Sequence, residues 1–391
     1  MAASVHSSSV HSSSVPRVAI IGAGVIGLGI AWRLAQRGAA VTVFDKGTAG
    51  QGASHAAAGM LAACIEAEPG EEALTALGRQ SQLMWPGFAA ELKDASGVDV
   101  ELRQEGTLYV ALTADDQARL THDLGLHKSL GLPVEWISAA EARRREPHLG
   151  SRLAGALFSP EDHQVENRKL AAGLKIAAER AGVTIREHCA VARVVIEQGR
   201  AGGVVFGDGS TFEADAVVVA AGAWSRQVEG VAPALLPPVR PLKGQMLALQ
   251  MDPRAPLVSH VIWGPNIYIV PRDDGRLILG ATVEEKGFDT TLTAGGVLAL
   301  LEAAWRVIPT IEELEIAEMW VGHRPGSRDD APILGSSAID GLFYATGHHR
   351  NGILLTPVSA DSMARLVLDG TLDDAIRPFG MERFVRAQAA E

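Results

Sequence analysis

Gly22, Gly24 and Gly27 form a G-x-G-x-x-G spacing, and Asp45 follows roughly 20 residues after its start, a pattern suited to a dinucleotide. A first glycine allows the tight turn, a second lets backbone approach a pyrophosphate, and a third lets helix and strand pack closely. Free N–H groups at the start of the helix and its dipole attract phosphate. Asp45 can accept from both ribose hydroxyls, which disfavours a 2′-phosphate. The bare motif is weak in a chain with 42 glycines. Its context carries the reading: the stretch from Val18 to Asp45 is strand, glycine turn, helix closed by Gly38, and second strand. At this level NAD and FAD are equally open.

Other side chains could grip a carboxylate. Arg324 stands in H-R-P-G and Arg350 in H-H-R-N-G, and a guanidinium binds a carboxylate in bidentate fashion. Read alone, Arg324 is equally a surface charge, and Tyr268 is an ordinary strand aromatic explained by alternation. Arg350 could equally cover a cofactor edge or pair with a carboxylate. His348 and His349 suggest a general base, but a turn histidine is more often structural and a neutral amine can lose hydride without one. No Ser/His/Asp arrangement, H-E-x-x-H or metal-ligand cluster stands out, so no metal is expected.

The elements that must position these groups follow along the chain. Residues 1–15, with a repeated S-V-H-S-S-S, read as a disordered leader whose His6 and His11 are solvated. Small residues from Gly47 to Met60 permit close backbone contact with an extended ligand. A helix is expected over Glu72–Leu92 with a break at Pro86-Gly87, then a strand at Gly106–Leu112 and helices near 115–130 and 139–145. Arg143–Arg145 is a solvated helix end. Glu161–Gly182 reads as a helix entered through Asn167, followed by Val183–Ile185, Ala190–Glu197 and Gly202–Phe206 as a small antiparallel set. The buried strand and turn of Ala214–Ser225 offer a second place for backbone to touch a dinucleotide. Alternating runs from Gly244 to Ala281 give antiparallel sheet, with Asn266 and Val283 bordering a pocket. A strand, the turn Gly347–Gly352 and a long helix close the chain.

Cofactor-type turns thus sit at both ends, with antiparallel sheet between them. The expected class is α/β: a Rossmann-like cofactor domain assembled from 16–85, 150–230 and 322–391, and an α+β substrate domain from 86–149 and 231–321. A length of 391 residues supports two domains. Net charge of −11 without a basic run disfavours nucleic acid and anionic membrane. Cys64 and Cys189 are too few for a disulfide framework and suit a reducing cytoplasm. The apolar run after Arg17 imitates a signal peptide, but the motif glycines interrupt it and it is too short to span a membrane.

Six segments together carry a resemblance: the glycine fingerprint, Ser54–Leu61 (SHAAAGML), Tyr268–Arg272 (YIVPR), Gly275–Thr282 (GRLILGAT), His323–Gly335 (HRPGSRDDAPILG) and Gly347–Pro357 (GHHRNGILLTP). They resemble the FAD-dependent amine oxidases, the family of D-amino-acid, sarcosine and glycine oxidases, most nearly its glycine oxidase branch of the ThiO type. The resemblance implies non-covalent FAD, since no cysteine follows Cys189 to tether it. It implies an ADP half held by Gly22, Gly24, Gly27 and Asp45, and an isoalloxazine lined by Gly59, Met60 and the turn Gly347–Gly352 with His349, Arg350 and Asn351. Val25, Ile26, Lys46, Ser54, Ala58, Val191, Ala221, Gly222, Trp224 and Ile353 complete the implied cofactor contacts. Arg324, Tyr268 and Arg350 become the catalytic candidates, the first two as carboxylate ligands. The implied activity is oxidation of glycine, sarcosine or small D-amino acids to the imine, with O₂ yielding H₂O₂ and a role in thiamine (thiazole) biosynthesis. Alternatives are a D-amino-acid dehydrogenase reducing a quinone and a flavoprotein acting on a tRNA base. A dimer or tetramer is the expected assembly.

Overall fold

A computed structural model describes residues 15–384, so the leader expected at 1–15 lies outside the described residues except for Val15. Two large sheets organise the chain. The first has six strands in the order Ile333–Ser336, Leu342–Thr346, Ala216–Val219, Arg17–Ile21, Ala40–Phe44 and Thr184–Arg186. All its pairings are parallel except that of Ile333–Ser336 with Leu342–Thr346. Unbroken apolar runs such as Val18–Ile21 and Val217–Val219 are buried there, as expected of strands covered on both faces. Helix Val25–Gln36 covers one face and packs against helices Thr356–Asp369 and Asn167–Arg180.

The second sheet has eight strands: Glu315–Gly326, Arg240–Gln250, Arg276–Gly280, Ile267–Pro271, Val261–Gly264, Thr107–Ala111, Gly155–Ser159 and Glu135–Ser138, in that order. Only Val261–Gly264 with Thr107–Ala111 is parallel. The sequence reading placed Gly155–Ser159 in the cofactor unit, but its backbone pairs from Thr107↔Ser159 to Ala111↔Gly155 in this second sheet. Strand Glu315–Gly326 likewise runs through the boundary expected at 321/322.

Three local expectations are corrected. One helix, Glu72–Ser96, passes through Pro86 without a break. Trp85 and Phe88 are buried on either side of the proline, and Trp85 Nε1 donates to the Leu354 carbonyl at 3.0 Å. This packing outweighs the one helical hydrogen bond that proline removes. Helix Asn167–Arg180 is capped by Glu166, which accepts from the Lys169 N–H at 2.6 Å. Asn167 instead donates to the Ser54 and His55 carbonyls at 2.7 and 3.1 Å. Finally, Thr184–Arg186 extends the parallel sheet, because the preceding helix returns the chain beside Ala40–Phe44 in parallel. The antiparallel set is Val191–Glu197, Arg200–Phe206 and Thr211–Glu213. Among the described residues no helix is long and apolar enough to cross a membrane.

Candidate functional site

The carboxyl ends of four parallel strands meet where a doubly wound sheet binds its ligand. Gly22 follows Arg17–Ile21, Asp45 follows Ala40–Phe44, Ala221-Gly222 follow Ala216–Val219, and Gly347 follows Leu342–Thr346. Gly22 has φ +109°, and a Cβ there would sit 2.4 Å from the Ala220 carbonyl oxygen. A Cβ on Gly27 would sit 2.0 Å from the Gly22 oxygen, so helix and strand meet through backbone alone. Gly24 is different: its φ of −75° suits any residue, and the nearest atom to a Cβ is Ser54 Oγ at 3.2 Å. Neither turn nor packing demands that glycine, which leaves an open backbone face at the helix start.

Ser54 Oγ accepts from the Val25 N–H at 3.0 Å, tying the small-residue loop to the first turn of the helix that continues with Ile26 and Gly27. The Asp45 carboxylate accepts from the Ala23 N–H at 2.7 Å and the Gly47 N–H at 2.8 Å. It therefore joins the two turns, with a second lone pair left on each oxygen for a ribose. The Cys189 N–H donates to the Asp45 carbonyl at 2.7 Å, which brings Val191 to this end. The Lys46 ammonium lies 3.8 Å from the Trp224 ring centroid, and Trp224 stacks on Phe288 at 5.0 Å.

Further along the cradle, Gly59 (φ +72°) packs against the Val165 carbonyl. Arg272, which sequence reasoning did not select, clasps this loop. Its Nη2 donates to the Ala58 carbonyl at 2.7 Å and to Asn167 at 3.0 Å, and its Nη1 to the Val165 carbonyl at 2.9 Å. The final arginine of Y-I-V-P-R was the available signal. An isolated pairing of Gly326 with His348 brings the turn 347–352 beside the strand carrying Arg324. Burial pushes His348 down to about 3, and its Nε2 bonds Ser359 Oγ at 3.1 Å. Burial takes His349 to about 4, with Asp330 pulling the other way. Both rings are neutral at neutral pH.

A cavity of about 1770 Å³ opens against this cradle. Gly59, Met60, Tyr268, Arg324, Asn351 and Ile353 are among its walls, and Asn266 and Val283 border it as expected. Arg324 Nη1 donates to the Thr282 carbonyl at 3.1 Å. Burial pushes the Tyr268 phenol up, and the Arg324 guanidinium pulls the other way. The Tyr268 hydroxyl ends 3.8 Å from Met246 Sδ, and the Arg324 guanidinium covers Gly244 two residues earlier in the same strand, so both reach one stretch of the wall.

Arg350 lines the same cavity and is held there by acids. Its Nε lies 2.9 Å from Glu66, and its Nη2 lies 3.1 Å from Glu68 and 3.0 Å from Glu71. Three carboxylates already satisfy the charge, so of the roles left open by the sequence it takes the ion pair. Burial pushes Glu66 up to about 7 against the pull of Arg350. Glu66 also lines the cavity and was missed; its only signal was an acid inside the apolar run that follows Met60.

The profile of the FAD dependent oxidoreductase family matches residues 17–366. A glycine oxidase from Geobacillus kaustophilus is 38% identical over 91% of this chain and 94% of its own. A bifunctional ThiO/ThiG protein from Trichormus variabilis is 38% identical over 91% of this chain, which spans only 53% of that longer protein. A crystal structure of glycine oxidase from Geobacillus kaustophilus superposes with a TM-score of 0.87, covering 94% of this chain and 99% of that one. The glycine cradle at four strand ends and the cavity beside it fit an extended dinucleotide cofactor, and the chain belongs to the FAD dependent oxidoreductase family.

Proposed function

We propose that this chain oxidises glycine and other small amines, sarcosine and small D-amino acids among them, to the imine. One observation carries the reading: the Arg324 guanidinium over Gly244 and the Tyr268 hydroxyl beside Met246 reach one stretch of the cavity wall, facing a space that the Ala58–Met60 loop and the turn 347–352 also border. Arg324 and Tyr268 hold the substrate carboxylate, and that grip turns the α-carbon toward the cofactor. The residues of the two cradle ends would hold FAD non-covalently, and FAD would supply a two-electron acceptor for the α-hydrogen as hydride, with O₂ as the final oxidant and H₂O₂ its product. Cys64 is buried with its thiol pushed up, which suits a packed thiol and not a tether. The imine is hydrolysed to 2-oxo acid and ammonia (methylamine from sarcosine) or consumed in thiazole synthesis; the likeness to ThiO/ThiG proteins supports that thiamine link.

The six-stranded sheet is the cofactor unit and the eight-stranded sheet the substrate unit in this reading. A cytoplasmic setting accords with two unpaired thiols, and a homo-oligomer, dimer or tetramer, is open to light scattering. The direct test is H₂O₂ release by FAD-loaded protein given glycine, sarcosine or small D-amino acids. Absence of turnover with all of them sinks the proposal. Bleaching of the flavin without air reoxidation would instead assign another electron acceptor.

A further inference from the structure

Two strands separate Arg324 from Tyr268. The order is Glu315–Gly326, Arg240–Gln250, Arg276–Gly280, Ile267–Pro271, so at about 4.8 Å per strand their backbones stand roughly 14 Å apart. Both side chains nevertheless line one cavity wall. Each side chain must lie across a neighbouring strand instead of standing up from the sheet.

The crossings are visible. Tyr268 is the register partner of Gly280, and a Cβ on Gly280 would sit 2.4 Å from Tyr268 Cε2 and 2.5 Å from both Cζ and the hydroxyl. The ring passes over that glycine, and its hydroxyl ends 3.8 Å from Sδ of Met246, which is Gly280's partner in the next strand. From the opposite side, Arg324 pairs with Leu242, and its guanidinium leans along the strand to cover Gly244. A Cβ on Gly244 would sit 2.6 Å from Nη1 and 3.0 Å from Cζ and Nη2. Gly322, the partner of Gly244, is filled by Ala56, 2.4 Å from where a Cβ would lie. Both ligand ends therefore lie over Arg240–Gln250, at Gly244 and Met246.

We propose that Gly244 and Gly280 are positioning residues for carboxylate recognition, each a gap in the sheet surface across which one ligand side chain reaches that stretch. The proposal rests on Arg324 and Tyr268 being the carboxylate ligands. Neither glycine has a left-handed backbone, and at both the space of a side chain is already occupied. The two gaps differ in what a methyl group would strike. At Gly244 it meets the far end of a flexible side chain, so the fold survives while the guanidinium is displaced. At Gly280 it meets an aromatic ring, which must move as a whole and take its hydroxyl along.

The test uses FAD-loaded Gly244→Ala, read by KM and kcat for glycine, by Kd for glycolate from the flavin absorbance, and by Tm. KM and Kd are expected to rise together by roughly tenfold to a hundredfold, the cost of a misplaced orienting group, while kcat at saturation and Tm hold. In an Arg324→Ala background, Gly244→Ala is expected to add nothing, because the atoms it strikes are gone. Gly125→Ala, at an exposed helix position with open space around it, is the control expected to leave KM, kcat and Kd unchanged while Tm holds or rises. If Arg324→Ala raises KM and Gly244→Ala does not, the positioning role falls while the ligand assignment stands. An unchanged KM in Arg324→Ala overturns the ligand assignment and the proposal with it. The same penalty in both backgrounds, or a Gly244→Ala protein that cannot fold, also overturns the positioning role. Gly280→Ala, with Tyr268→Ala as its silent background, repeats the test; the Gly244 cycle decides whether or not that variant folds.

Discussion

Arg350 Nε lies 2.9 Å from a Glu66 carboxylate oxygen, and the same guanidinium reaches Glu68 and Glu71 through Nη2. Arg350→Ala leaves the half-buried Glu66 without its cation. Both partners keep some exposure and Glu66 can take up a proton, so the loss in denaturant unfolding falls short of the roughly 3 kcal/mol of a broken buried pair. The KM for glycine is expected to rise less in Arg350→Ala than in Arg324→Ala. A larger rise in Arg350→Ala would return it to the substrate ligands.

Glu66 and His348 set opposite pH dependences. Glu66, raised from 4.5 to about 7, stays protonated in the fold after the unfolded chain has lost its proton. Its contribution therefore lowers stability as pH rises from about 4.5 to about 7. His348, lowered from 6.5 to about 3, leaves the unfolded chain holding more protons between those values. Stability therefore falls as pH drops from about 6.5 toward 3, and His349 adds the same sign. His348→Gln is expected to flatten the acid limb of Tm against pH, and Glu66→Gln the limb between pH 4.5 and 7. Slopes identical to the parent protein would reject either assignment.

The parts legible in the sequence were those set by short-range chemistry. Gly22, Gly27 and Asp45 lie within one βαβ unit, and their spacing alone implies turn, packing and ribose-side acid. Arg324 and Tyr268 were legible through the motifs around them. Arg350's partners were not, because Glu66, Glu68 and Glu71 come from a loop some 280 residues earlier. Pro86 was misread for a related reason: a local breaking signal is overridden by Trp85 and Phe88, whose packing partners are remote. Gly155–Ser159 looks the same whichever sheet it joins, since alternation describes a strand and not its neighbours.

Lys243 predicts a separation between substrate affinity and cofactor content. Its ammonium is buried and donates to Asp289 Oδ2 and the Thr291 carbonyl, both at 2.6 Å, with Glu284 at 3.9 Å. Hydrogen bonds from Lys243 and Thr291 hold Asp289 at about 2, and those from Thr282 and Gln245 hold Glu284 at about 2. These contacts fix residues 282–293, and the Thr282 carbonyl fixes Arg324 Nη1. Replacing a whole buried ion pair by apolar residues is often near neutral, but Lys243→Met removes the cation alone and leaves Asp289 and Glu284 without it. Lys243→Met is thus expected to lower Tm, to keep FAD content and to raise KM for glycine, by less than Arg324→Ala does. A drop in FAD content with unchanged KM would place the loop's role on the cofactor side.

Two glycines of one motif are expected to fail in different ways. A methyl on Gly27 strikes the Gly22 carbonyl oxygen at 2.0 Å, backbone against backbone, with no side chain able to yield. Helix Val25–Gln36 must then move off its strand, and overpacking of this kind costs about 1–3 kcal/mol. Gly27→Ala is expected to lose Tm and bound FAD together. A methyl on Gly24 approaches only Ser54 Oγ, at 3.2 Å, a contact that a small shift relieves. If that open face is where the pyrophosphate approaches, Gly24→Ala keeps its Tm as apoprotein and loses FAD affinity in titration. Wild-type FAD affinity in Gly24→Ala would mean that the pyrophosphate lies elsewhere along the cradle, nearer Ser54 or Ala221-Gly222.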